Sequence, residues 1–173
     1  MSRFIKGIDF VLSWFLVGLM VLIVFDVTWQ VFTRFIMRDP SSFTEETATF
    51  LLIWIGLLGS AYALRQKAHL GIDVLTIKMS PKLRLIWEFV IYTVVIIFAA
   101  LVLVWGGIRL VNITLYLNQI SAALRIKMGY VYSVVPITGF LMIIYSVNFM
   151  IEAFQHLKKH QYTSEKTTSI GID

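Results

Sequence analysis

Cysteine is absent from the 173 residues. No disulfide, thiolate metal site or thiol redox step is therefore available, which excludes the four-helix membrane enzymes that work through paired cysteines. Charge is scarce as well: Asp, Glu, Lys and Arg make up 14% of the chain, against about 25% in an average protein. The scarcity is uneven. Phe10 to Phe25, Thr47 to Leu64, Phe89 to Ile108 and Met128 to Ile151 contain no Asp, Glu, Lys, Arg or His. None of the three histidines lies in these runs, which argues against a haem-ligating membrane anchor. Phosphate-binding glycine loops, nucleophile elbows and zinc-protease motifs are missing too, so the sequence points away from an enzyme.

What remains is hydrophobic: 58% of the residues. A bilayer core about 30 Å thick takes roughly 20 apolar residues in a helix, so four charge-free runs predict an all-α, polytopic membrane protein with four transmembrane helices. The expected spans are 10–35, 45–64, 85–108 and 128–152, forming one membrane domain over 1–157. A polar tail, 158–173, is expected to be disordered. The first run resembles a secretory signal in outline but ends in Phe25-Asp-Val-Thr-Trp-Gln, with no small-residue cleavage site, and is read as an uncleaved span. The net charge of +5 is read as topogenic, with no nucleic-acid partner. Ten Lys and Arg fall at the N-terminus, in the second connection and in the tail, and five in the other two connections. By the positive-inside rule both termini are cytoplasmic.

Punctuation fits these spans. Pro40 cannot continue the first helix, and Ser42 with Glu45 forms a capping-box pattern at the start of the second. Ser80-Pro81 marks the start of the third. Pro136 removes a bond to the Tyr132 carbonyl and predicts a kink in the fourth. Leu110 to Leu117 is read as an extension of the third helix, and Gln119 to Met128 as a surface turn carrying apolar side chains.

Few residues are candidates for chemistry. Asp26 is the one carboxylate expected in a span, and at helical spacing it shares a face with Gln30, Thr33 and Arg34. That stripe serves either a proton or substrate relay or a buried contact with another helix. Gly56, Gly59, Ser60 and Ala63 form a small-residue face suited to close helix approach, within the chain or against another. Trp54 fits no interfacial belt and is expected to pack in mid-membrane. Capping accounts for Glu45 and leaves Glu46 unexplained. His69 and Asp73 are four apart, but two ligands make no metal site, and a solvated turn is the simpler reading. No resident metal or cofactor is expected.

The order of these features resembles the small membrane subunit, the DctQ-type or Q component, of tripartite ATP-independent periplasmic (TRAP) transporters. The resemblance rests on Arg34-Phe-Ile-Met-Arg-Asp-Pro, Phe43-Thr-Glu-Glu46, Trp54 with Gly56 and Gly59, Arg65 with His69-Leu-Gly-Ile-Asp73, and Ser121-Ala-Ala-Leu124 before Tyr132 and Pro136. The family often has a proline where this chain has Ser121 to Met128 without one. The resemblance implies a compact four-helix subunit of the bacterial inner membrane that holds a large permease subunit (the M component), among membrane lipids. It further implies a periplasmic substrate-binding protein (the P component) and sodium-coupled transport of an organic acid such as sialic acid or a C4-dicarboxylate. Asp26, Gln30, Arg34, Glu45, Glu46, Trp54, Gly56, Gly59, Ser60, Arg65, His69, Asp73 and Pro136 are then candidates for partner contact or structure. An autonomous proton-coupled exporter using Asp26 is the alternative.

Overall fold

The computed structural model describes residues 3–37, 42–66 and 81–170. Its helices are α1 (Arg3–Phe32) with a π-helical continuation Thr33–Met37, α2 (Ser42–Arg65), α3 (Pro81–Phe98) continued by a π-helical stretch Ala99–Gly106 into α4 (Gly107–Tyr116), then α5 (Met128–Tyr132) and α6 (Val134–Ile170). Four stretches are long and apolar enough to cross a membrane: Ile5–Met37, Ser42–Arg65, Ile86–Tyr116 and Met128–Glu152. The chain is a multi-pass membrane protein. Asp9, Arg65 and Phe149 meet at one end of the array, and the start of α2 meets the loop between the last two spans at the other, here called the far end.

The first span starts earlier than its charge-free run, and the third ends later, because helix hydrogen bonding continues past the first charged residue at each boundary. α6 also runs through the polar residues for which a disordered tail was expected. Between Glu152 and Ile170 there is no glycine or proline to stop it.

α1 meets α2 along a seven-residue repeat. Ile5, Leu12 and Leu19 are buried, Asp26 is half-buried and Thr33 is buried again. This spacing keeps one stripe of a helix on its neighbour. Phe10, Trp14, Val17, Val21, Val24 and Phe25, off the stripe, are exposed to the surrounding membrane.

The four spans are not all in mutual contact. α1 packs on α2, α2 on α6, and α6 on α3, the π-helical stretch and α4. The result is an open row in the order first, second, fourth, third, with no extensive contact between first and third spans among the described residues. α2 and α6 are the inner members. Between them they hold most of the fully enclosed side chains: Leu58, Ala61 and Leu64 from α2, and Val134, Thr138, Tyr145, Ser146 and Phe149 from α6, with Ala99 from the third span.

The fourth span is broken where proline predicts it. Ser133 ends α5, and α6 begins at Val134 with Pro136 in its first turn. Lacking an N–H, Pro136 cannot bond the Tyr132 carbonyl. The break and the π-helical stretch sit side by side, since a Cβ placed on Gly107 comes within 2.9 Å of both Pro136 Cδ and Val135 Cγ1.

The close-approach glycines are not those of the small-residue face. A Cβ at Gly139 reaches Leu103 Cβ and Val104 Cγ2 at 2.8 Å, and one at Gly129 collides with the Leu115 side chain. At Gly56 and Gly59 a Cβ meets nothing within 4 Å. Small residues thus bring the fourth span onto the third, whereas the face of α2 carrying Thr49, Leu52, Gly56, Ser60 and Ala63 stays open. Gly139→Val is accordingly expected to destabilise the isolated chain by about 1–3 kcal/mol in reversible denaturation in mixed micelles, and Gly56→Ala to leave it unchanged.

Candidate functional site

α2 is anchored at three heights. At the far end, Glu46 accepts three backbone hydrogen bonds from the loop between the last two spans: Ala122 N–H to Oε1 at 3.2 Å, and Ala123 and Leu124 N–H to Oε2 at 2.8 and 2.9 Å. The Ser121 hydroxyl hydrogen-bonds the same carboxylate and accepts from Leu124 N–H at 3.2 Å. Successive amides pointing into one concavity form an anion-binding nest, here filled by a side chain of the same molecule. Charge-assisted bonds of this kind are roughly twice as strong as neutral ones.

The loop is shaped for this contact. Ser121 N–H bonds to the Ile126 carbonyl and Met128 N–H to the Gln119 carbonyl, each at 2.9 Å, closing a short bridge between Ile120 and Lys127. Asn118 and Arg125 flank the turn with φ of 47° and 54°. Asparagine tolerates this left-handed conformation, whereas for arginine it costs roughly 1–2 kcal/mol that the loop's bonds must offset.

Near the middle of α2, the Trp54 indole N–H donates to the Val131 carbonyl at 3.1 Å, beside the helix break, and its ring lies against Phe15 at 6.1 Å between centroids. At the other end, Arg65 Nε donates to Asp9 Oδ2 at 2.9 Å, and its guanidinium stands 5.4 Å from the centre of the Phe149 ring. The fully buried Tyr145 lies near the same pair, its hydroxyl without a hydrogen-bond partner among the described residues. One arginine thereby joins three of the four spans.

The other candidates are placed less tightly. Asp26 and Gln30 are half-buried and Thr33 is buried along the stripe that meets α2, while Arg34 is exposed. Asp26 Oδ2 is buried without a hydrogen-bond partner among the described residues. Glu45 is exposed in the first turn of α2, where a negative charge complements the helix dipole. Gly56 and Ser60 are exposed on the open face and Gly59 is at its edge. His69 and Asp73 lie outside the described residues, among which no cluster of metal-binding side chains occurs.

Most hydroxyls in the spans are bonded to their own helix. Thr28 bonds the Val24 carbonyl, Thr47 that of Phe43, Thr49 that of Glu45, Ser60 that of Leu57 and Thr93 that of Phe89. Such back-bonding hides polarity and gives a solute nothing to follow. A groove of about 630 Å³ between α1, α2 and α6 is lined by Gly7, Phe15, Trp54, Leu58, Ile137 and Leu141 among others, all apolar apart from the tryptophan nitrogen.

Sequence reasoning missed Asp9, Tyr145 and the glycines at 107, 129 and 139. The Asp9–Arg65 pair had a signal, since Asp9 is the last charge before the first apolar run and Arg65 the first after the second. Antiparallel neighbouring spans bring those ends together.

These features define a helical membrane subunit whose polar groups hold its own spans in register. The chain belongs to the family described as "Tripartite ATP-independent periplasmic transporters, DctQ component", which it matches over residues 11–156. Members are transporter components and not enzymes. The chain is 32% identical over 85 residues to the sialic acid TRAP transporter small permease protein SiaQ of Vibrio cholerae, covering 49% of this chain and 47% of SiaQ. It is 28% identical over 134 residues to the isethionate TRAP transporter permease protein DctMQ of Oleidesulfovibrio alaskensis, covering 74% of this chain and 21% of that protein. It is 26% identical over 103 residues to the C4-dicarboxylate TRAP transporter small permease protein DctQ of Vibrio cholerae, covering 60% and 43%. The matched stretches thus span less than half of each relative.

The Asp9–Arg65 contact yields a coupling test. Arg65→Ala removes the guanidinium from a partly buried carboxylate and is expected to cost about 1–3 kcal/mol. Adding Asp9→Ala should return part of that loss, with a coupling energy above about 0.5 kcal/mol in a double-mutant cycle by micellar denaturation; additive losses would mean that the pair contributes no coupling.

Proposed function

We propose that this chain is the small permease subunit of a sodium-coupled TRAP transporter for an organic acid of the sialic acid or C4-dicarboxylate class. It holds the large permease subunit in the inner membrane and helps to dock the periplasmic binding protein, with both of its own termini in the cytoplasm. The observation that carries this reading is where the polarity goes: Glu46, Trp54, Arg65 and most of the span serine and threonine hydroxyls make contacts within the chain, which leaves few buried polar groups, Asp26, Thr138 and Ser146 among them, to form a solute path. An open row also exposes more lateral surface than a closed bundle, and the unfilled face of α2 offers close approach to a partner helix. The match to about a fifth of the longer DctMQ permease supports a working unit in which a region of this kind accompanies a larger one. The relatives named for sialic acid and C4-dicarboxylate supply the substrate class.

A second reading, an autonomous proton-coupled exporter, draws on the buried, unpartnered oxygen of Asp26. Reconstitution separates the two. Liposomes with the large subunit and binding protein should take up the acid in a sodium-dependent manner only when this chain is included, and the chain should co-purify with the large subunit. Uptake that is indifferent to its presence would refute the scaffold role, and proton flux through this chain alone, abolished by Asp26→Asn, would establish the second reading.

A further inference from the structure

Twenty residues without charge separate Glu88 from Arg109 in the third span, about the length that crosses the hydrocarbon core. The chain from Arg109 to Lys127 therefore stands beyond that core at the far end. It carries Arg109, Arg125 and Lys127, all exposed, and no acidic residue occurs anywhere from 89 to 151. Tyr116, Leu117, Ile120 and Ile126 are also exposed there. Apolar side chains on a slack loop would fold back or sink into the interface. These cannot, because the loop is fixed by the Glu46 nest, by the bonds between Gln119, Ser121, Ile126 and Met128, and by the close seat of Gly129 on Leu115. Glu46, the acid in contact with this loop, has its carboxylate on the loop amides, while Glu45 and Arg34 are exposed at the same end.

We propose that the segment 109–127, the end of α4 and the loop after it, is a preorganised, basic and apolar docking surface for an acidic face of a soluble protein, and that Glu46 is the positioning residue that sets its shape. A fixed surface loses less conformational freedom on binding, and complementary charge raises the encounter rate. Anionic lipid headgroups would attract the same cations, but diffuse attraction needs no held shape. The strained φ at Arg125 and the filled nest point to a shaped partner. The proposal rests on the transporter reading for the identity of that partner, the substrate-binding protein, and for the far end facing the periplasm.

The test uses the small and large subunits in nanodiscs of zwitterionic lipid, with the transporter's own substrate-binding protein as the analyte. The combined variant Arg125→Glu/Lys127→Glu should bind at least about tenfold more weakly, with a flatter salt dependence. Glu46→Ala should weaken binding similarly and speed hydrogen exchange at Ala122, Ala123 and Leu124 while the subunits stay associated. Glu46→Gln, which keeps an acceptor oxygen, should restore part of both. Unchanged protein binding by the charge-reversed variant overturns the proposal, as does a loss confined to retention on anionic vesicles. Faster loop exchange in Glu46→Ala without weaker binding overturns the positioning role. If this chain does not associate with the large subunit, the scaffold reading fails by itself, and the same binding series on the chain alone still decides the docking surface.

Discussion

Lipid-facing apolar surfaces do little to choose between helix registers, and this constraint makes a handful of polar contacts in and beside the bilayer decisive here. α2 carries three of them at three levels. Glu46 binds the loop amides at the far end, Trp54 bonds the Val131 carbonyl in the middle, and Arg65 engages Asp9 and Phe149 at the opposite end. Since lipid tails are as apolar as the side chains they replace, apolar contact alone does little to choose among registers of neighbouring helices. The polar contacts do choose, and they tie α1 and α6 to the same central helix.

The break in the fourth span belongs to the same logic. Pro136 leaves the start of that helix irregular, and Trp54 supplies a donor to a carbonyl at the break. Beside it, Gly107 lets the third span come close enough to enclose the irregular backbone. Non-helical backbone at membrane depth is tolerated only where protein covers it. Here the cover comes from α2 and the third span.

The open row suits a subunit of a larger assembly. A closed four-helix bundle would turn most of its surface toward its own axis, whereas this arrangement leaves α1, the third span and one face of α2 largely uncovered. Apolar side chains on those surfaces face lipid or another helix at equal ease, so the array can sit beside a larger membrane protein without refolding. Most of its span hydroxyls are meanwhile bonded to their own helices, which fits a holding role better than a conducting one.

Much of the fold was legible from the chain itself. Four charge-free runs fixed the number of spans, because a carbon-rich interior 30 Å deep imposes a length and a composition on whatever crosses it. Pro81 marked the start of α3 and Pro136 the break, through the missing N–H. The motifs Phe43-Thr-Glu-Glu46 and Ser121-Ala-Ala-Leu124 were both visible, yet nothing in their spacing said that Glu46 sits in the amides of the second. That contact joins residues 76 to 78 positions apart, and local patterns carry no information about which helices become neighbours. The same holds for the glycines: composition flagged Gly56 and Gly59, while close approach occurs at Gly107, Gly129 and Gly139. The sequence by itself determined the spans and their ends, since those depend on each residue's own transfer into lipid. Only the tertiary structure decided the order of helices in the row and the purpose of Glu46, because pairing depends on which surfaces meet.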